Sequence, residues 1–365
     1  MGNTTEGKQK RLYLEAMRIL AVFFVIFNHT DERGFFLFAH RSGVSFWGYL
    51  GVSVFCCFAV PLFFAISGAL MLSREEESLA ELWRKRIGKY VAILCVLFLC
   101  NFLAEAVVSG EPVDWRNLLA SVYAGWFSGG YALAGHLWYL YAYIAYLICL
   151  PFLRTLVQNL KTRYFYYWIG IALFFSALLP AAEYLVSRGE ITLCEDLNPG
   201  WLAEGIVLYP AVGYFLEYRA SFEKKKRNLL WLWLLNGLGI AAACFMVYYE
   251  GRINGYYKTT FHPLFALLNC IAVYVTVKYL FTHFPIPPWL EKGVLSLGKC
   301  TFGIYLIHVV VLDSEPMGWL FAFLTGHGVN SMLACLMQCA AVMTVCYGIT
   351  CVLRRIPVVK KLVGG

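Results

Sequence analysis

Residues 51–72 read GVSVFCCFAVPLFFAISGALML, a stretch without one charged side chain. As an α-helix it extends roughly 33 Å at about 1.5 Å per residue, enough to cross a hydrocarbon core of about 30 Å. A soluble helix of this length needs a polar face for water, and here only Ser53 and Ser67 interrupt the apolar surface. In hydrocarbon each backbone N–H and C=O must be paired within the segment, so the stretch is a membrane helix. Comparable blocks recur along the chain. Spans are expected at about 12–30, 49–72, 91–108, 137–153, 164–182, 201–217, 229–249, 263–281, 298–312 and 331–353. Long Leu, Phe, Ile and Ala runs without strand-like alternation argue against an outer-membrane barrel. The expected fold is all-α: a polytopic membrane bundle of about ten transmembrane helices, forming a single integral-membrane domain over residues 1–365.

Composition agrees. Only 14% of residues are charged and 60% are hydrophobic, whereas a soluble domain carries about 25% charged residues. The same apolar content excludes intrinsic disorder. The net charge of +8 would suit nucleic acid if it were clustered on one soluble face, but it follows the loops instead. Lys8, Lys10, Arg11, Arg74, Arg84, Lys85, Arg86, Lys89, Arg154, Lys161, Arg163 and Arg219 fall in one set of alternate segments. Lys224, Lys225, Lys226, Arg227, Lys278, Lys292, Lys299, Arg354, Arg355, Lys360 and Lys361 continue that set. The opposite set holds only Arg33, Arg41, Arg116, Arg188, Arg252 and Lys258. The positive-inside rule then places both termini in the cytoplasm. By this assignment Arg18 is the one basic residue within a span, and no nucleic-acid partner is expected.

The first span holds Glu15 and Arg18 and lacks a small-residue cleavage site, so it reads as a retained helix and not a signal peptide. The longest loop expected, about 109–136, is short and faces outward. The 13 cysteines lie almost entirely within spans, where Cys behaves as a small apolar residue. Cys194 alone falls in an outer loop, and no C-x-x-C spacing occurs, so neither a disulfide framework nor a metal site is expected.

Charge at membrane depth is costly and marks candidate functional positions. Arg18 and His29 lie on one face of the first helix, about three turns or roughly 16 Å apart. One reading makes them an anion clamp inside and a titratable base outside. The other pairs Arg18 with Glu15 at i,i+3 and leaves His29 as an interfacial residue beside Asn28, Asp31 and Glu32. Residues 73–90, SREEESLAELWRKRIGKY, suggest a short cytoplasmic amphipathic helix. Its Arg84, Lys85, Arg86 and Lys89 suit either anionic lipid or the phosphates of a nucleotide. His136 and His308 favour the outer half, as do Glu105, Glu183 and Glu204. A buried acid there can orient a histidine base or bind sugar hydroxyls, and the alternative is hydrogen bonding between helices. Trp138, Tyr139 and Tyr141 fit an aromatic belt as well as a substrate platform.

Four segments together resemble the membrane acyltransferase-3 family of polytopic O-acyltransferases. RLYLEAMRILAVFFVIFNHT carries an Arg, ten residues, His pattern at Arg18 and His29. The segment at 51–72 is similar to the family's second span, with Phe63, Phe64, Ser67 and Gly68 in its Phe-Phe-x-x-Ser-Gly ending. HLWYLYAYIAYLICLPFL resembles a His-Leu-Trp-Phe-Leu segment, with Tyr139 in place of the Phe. CTFGIYLIHVVVL resembles a late Gly-Ile-Tyr-Leu-x-His segment ending at His308.

The resemblance implies an enzyme that takes an acyl group from cytoplasmic acyl-CoA and passes it to a hydroxyl of an extracytoplasmic acceptor. The acceptor classes implied are cell-surface carbohydrate or a small molecule, and the implied acyl group is acetyl. Arg18 and His29 carry over as the essential pair. The family's Arg-x-x-Arg motif falls on Arg86-Ile-Gly-Lys89, where Lys keeps the charge but not bidentate geometry. Arg18, Arg84, Lys85, Arg86 and Lys89 are thus the expected acyl-CoA contacts, with acyl-CoA a co-substrate and no tightly bound cofactor. His136, Trp138, Tyr139, Glu204 and His308 are the expected acceptor contacts. Membrane lipids are the other expected partner, and the expected location is the plasma membrane of a bacterium. The rival class is a transporter or flippase of a glycan or small molecule. Against it, no pair of Gly/Pro-interrupted spans occupies matching positions in two halves.

Overall fold

The computed structural model describes residues 2–109, 116, 118–120, 123, 135–222, 226–357 and 359–360. Most of the loop expected at 109–136, Lys224, Lys225, Lys361 and the side chain of Glu105 lie outside the described residues. Among the described residues the regular structure is helical, with no strand.

In chain order the helices are α1 (Gly2–Asn28), α2 (Gly43–Cys56), α3 (Ala59–Met71) and α4 (Gly88–Ser109). There follow α5 (Trp138–Asn159), α6 (Thr162–Leu173), α7 (Leu179–Ser187), α8 (Gly205–Tyr218) and α9 (Lys226–Asn254). The chain ends with α10 (Ala266–His283), α11 (Pro288–Gly298), α12 (Thr301–Leu312), α13 (Glu315–Gly326) and α14 (Ser331–Leu353). Among the described residues six helical stretches are long and apolar enough to cross a membrane, seven when the α11–α12 pair, bent by 68°, is counted as one span. The expected spans 12–30 and 201–217 are helical over most of their length, in α1 and α8, without reaching that standard, and the expected span 91–108 is helical in α4, where several side chains lie outside the described residues. Arg11, Glu15 and Arg18 are the reason for α1. For α8 it is length, because 14 residues reach only about 21 Å.

The breaks follow proline chemistry. α2 and α3 form one apolar stretch, Gly43–Met71, interrupted at Cys57 and Phe58. Pro61 lies in the first turn of α3, where its missing N–H has no intrahelical partner to lose. Pro180 likewise enters α7, and the chain before it relaxes into a π-helical segment, Phe174–Leu178, the usual accommodation of a disturbed i→i−4 ladder. The basic segment near residue 84 is not a separate amphipathic helix. A single turn at Leu79–Glu81 and a π-helical stretch at Leu82–Ile87 lead straight into α4.

The described contacts divide into two compact units, Met1–Ser73 with Leu156–Gly365, and Arg74–Thr155. In the first, α1 is central: it packs against α2, α3, α10, α11, α12 and α14. That enclosure is how a helix with two charges in its middle is kept from lipid. The closest seam joins α3 to α8. A Cβ on Gly68 would run into the Pro210 backbone, and one on Gly213 into the Ala65 carbonyl, the small-residue approach typical of helix pairs in hydrocarbon.

Two basic residues assigned above to cytoplasmic loops are buried within helices of the described residues, so Arg18 is not the one basic residue at depth. Lys278 is buried in α10, 3.7 Å from Glu217 Oε2, and donates to the Leu216 carbonyl at 3.0 Å. Tyr13 and Tyr274 donate to the two oxygens of the same carboxylate at 2.6 and 2.9 Å, which ties α1, α8 and α10 together. Arg154, in the second unit, is buried in α5 and stands 3.6 Å from Glu77. Both cations sit near helix ends, where a loop assignment from charge alone is least secure.

Candidate active site

Arg18 and His29 belong to the same enclosed helix but meet different surroundings. Arg18 donates to Glu15 Oε1 at 2.9 Å, the i,i+3 pairing that spacing allows, and its side chain stays 29% exposed. Glu15 is buried. Its Oε2 has no hydrogen-bond partner among the described residues, and Gly298 of α11 stands against it.

His29 lies one residue past the end of α1, its N–H closing a tight last turn onto the Ile26 carbonyl at 3.1 Å. Its Nδ1 is 2.8 Å from the Val25 carbonyl. A carbonyl only accepts, so Nδ1 carries the hydrogen and Nε2 is the basic nitrogen of the neutral ring. His308, fully buried on α12, repeats the pattern with Nδ1 2.6 Å from the Tyr305 carbonyl. Its Nε2 lone pair therefore faces the His29 Nδ1–H, 3.5 Å away. The rings meet edge-on, centroids 5.0 Å apart and planes at 71°. The result is a relay of orientation: Tyr305 carbonyl, His308, His29, with Val25 as the second brace. Arg33 and Asp313, 3.7 Å apart, join the chain just beyond α1 and α12 at the same end. What this arrangement does chemically is hold one imidazole in a defined tautomer with its base nitrogen directed away from both braces.

A family model described as an acyltransferase domain, acyltransferase-3, matches residues 11–351. The chain belongs to that acyltransferase family. No curated protein and no solved structure matches it. The protein is a membrane acyltransferase, and the matched region includes Arg18, His29 and His308.

The remaining expected residues of this acyltransferase are spread over both units. In the second, Arg86 Nε sits 2.9 and 2.8 Å from the two oxygens of Glu77. Lys85 pairs with Glu81, and Lys85 beside Glu81 holds that carboxyl below its ordinary range. Arg84 lines an open recess of about 330 Å³ with Ser78, Ala80 and Glu81, and Lys89 lies 5.8 Å from the centroid of Tyr90. His136 is buried in the turn Gly135–Leu137 that opens α5, Trp138 is exposed, and Tyr139 stacks on Tyr143 at 5.8 Å. In the first unit, Glu204 is exposed at the start of α8, and Glu183 Oε1 accepts from the Leu193 N–H at 2.6 Å. The contact of His308 with His29 was not legible from spacing, since 279 positions separate them. Glu77 as partner of Arg86 was equally hidden, one acid in an acidic run.

Proposed function

We propose that this acyltransferase moves an acetyl group from cytoplasmic acyl-CoA to a hydroxyl of an extracytoplasmic cell-surface carbohydrate. In this reading ten spans cross a bacterial plasma membrane with both termini in the cytoplasm. The observation that carries it is the braced His29 ring, its Nδ1 on the Val25 carbonyl and His308 behind it. His29 Nε2 removes the acceptor O–H proton as the oxygen attacks the thioester carbonyl carbon. The tetrahedral intermediate collapses, the C–S bond breaks, and the thiolate leaves with the proton that His29 returns. A base of this kind contributes about 10²–10⁴-fold. His308, which the resemblance places among the acceptor contacts, acts here through His29 as a positioning residue. Arg18, Arg84, Lys85, Arg86 and Lys89 hold the nucleotide, and His136, Trp138, Tyr139 and Glu204 meet the acceptor. An extended pantetheine arm is comparable to the roughly 16 Å between Arg18 and His29, which supports a donor reaching through α1's side of the bundle. The test is transfer of labelled acetyl from acetyl-CoA by purified protein: His29→Ala should abolish it while acetyl-CoA still binds. Normal transfer by that variant would end the role given to His29.

A further inference from the structure

The break between α2 and α3 lies beside the end of α1, and its polar groups are not accounted for by the fold. The last carbonyls of α2 lack intrahelical donors. The Val54 carbonyl receives the Cys57 N–H at 3.3 Å and Asn269 Nδ2 at 3.1 Å, and the Cys56 carbonyl receives Asn28 Nδ2 at 3.5 Å. Because a carbonyl only accepts, each amide is fixed with its nitrogen on the backbone and its oxygen turned away. Those two oxygens, Asn28 Oδ1 and Asn269 Oδ1, are buried without a partner among the described residues, and so is Ser53 Oγ. Ser53 and Asn269 are wholly excluded from solvent. Buried polar atoms are rarely left unpaired, and a group of them marks a missing partner.

We propose that Asn28, Ser53 and Asn269 form a subsite that accepts a hydrogen bond from an amide N–H of the thioester's carrier arm. The proposal rests on the acyl-CoA reading given above. The two amide oxygens accept only, and the Ser53 hydroxyl can accept alongside them, so the group matches an N–H and its two amide oxygens mismatch a phosphate or a thioester carbonyl. In a CoA thioester the sulfur is followed, two methylenes on, by an amide N–H. Asn28 immediately precedes His29, so a thioester held at the imidazole brings that donor to this end of α1. The subsite fixes the arm and, with it, the carbonyl that His29 needs attacked.

The experiment measures binding to the purified full chain of acetyl-CoA and of its analogue methylated on the cysteamine nitrogen, which lacks the donor. Wild type should prefer the parent by about tenfold, one good hydrogen bond's worth. Ser53→Ala removes only the unpartnered hydroxyl and should narrow the preference to about two- to threefold while thermal stability is unchanged or raised. Asn28→Leu, where it folds, should narrow it too; where it does not, Ser53→Ala decides. Equal binding of the two compounds by wild type, or an undiminished preference in the variants, overturns the subsite. Absence of any acetyl-CoA binding instead overturns the donor reading, and the subsite with it, so the two failures are distinct.

Discussion

Replacing His308 by Phe tests whether it works through His29. The ring volume is kept on α12, so the fully buried site is not left as a cavity, while the Nε2 that faces His29 at 3.5 Å is lost. That separation is at the long end for a hydrogen bond, and a net contribution of about 0.5–1.5 kcal/mol is the most to expect. Such a loss converts to a fall in transfer rate of about two- to twelvefold, because the Val25 carbonyl at 2.8 Å still holds His29 in its tautomer. Loss of the base itself in His29→Ala should cost about 10²–10⁴-fold. The assay is single-turnover transfer of labelled acetyl from acetyl-CoA into membranes carrying the acceptor, with thermal unfolding of each variant alongside. A residue that acts only by orienting another adds nothing once that residue is gone, so the double variant should be no slower than His29→Ala. Refutation takes either of two forms: His308→Phe as inactive as His29→Ala, or a double variant slower by the product of the two effects. Both would give His308 a proton-transfer role of its own.

Three further outcomes follow from the geometry. Burial pushes His262, which packs on Phe35 at 5.3 Å, from its ordinary 6.5 down to about 4, with the Lys258 backbone partly offsetting this. The unfolded chain then binds the proton first, so stability should fall by up to about 3 kcal/mol as pH drops from 6.5 to 4, and His262→Phe should flatten that slope in pH-dependent unfolding. Gly213→Ala drives a methyl into the Ala65 carbonyl and should cost about 1–3 kcal/mol in thermal unfolding, whereas Gly237→Ala, which meets nothing within 4 Å, should be neutral or stabilising. Arg18→Ala leaves Glu15 buried and unpaired, so a weakened use of acyl-CoA by that variant alone is ambiguous. Restoration in Glu15→Gln/Arg18→Gln, followed by donor KM, would make Arg18 structural, and the expected persistence of the defect would place it on the donor.

What the sequence reveals is set by the range of the interaction. Hydropathy is summed over a whole block, so helices occur wherever an apolar block was read, and the Arg18–Glu15 pair follows from i,i+3 spacing within one helix. Irregularities are local and lie below that resolution: Pro61 accompanies an interruption within the single stretch Gly43–Met71 and Pro180 a π-helical segment within Thr162–Ser187, and nothing in residues 298–312 announces the bend between α11 and α12. Lys278 was misplaced because charge was assigned by loop. The corrective signal was an acid, Glu217, at the edge of the expected span 201–217, since an acid at depth asks for a cation. His29 was legible as a candidate through the family's pattern. Its brace was not, because a contact between α1 and α12 exists only once α1 is enclosed.

That enclosure also bears on the charge that develops during transfer. His29 stands at the C-terminal end of α1, His308 lies in the second half of α12, and Asn28 reaches the last carbonyl of α2. The C-terminal halves of α1 and α12 meet at this pair, each helix end carrying a partial negative charge of about half an elementary charge, whereas the end of α2 is offset by the start of α3 just across Cys57 and Phe58. A proton taken by His29 makes the ring positive, and fixed dipoles already aimed at it stabilise that charge without reorganising. At about 0.3–1 kcal/mol for each helix end, the two ends together match the single His308 contact. Hence the modest penalty expected for His308→Phe: the backbone's share of the stabilisation of the protonated ring is one that no side-chain substitution removes.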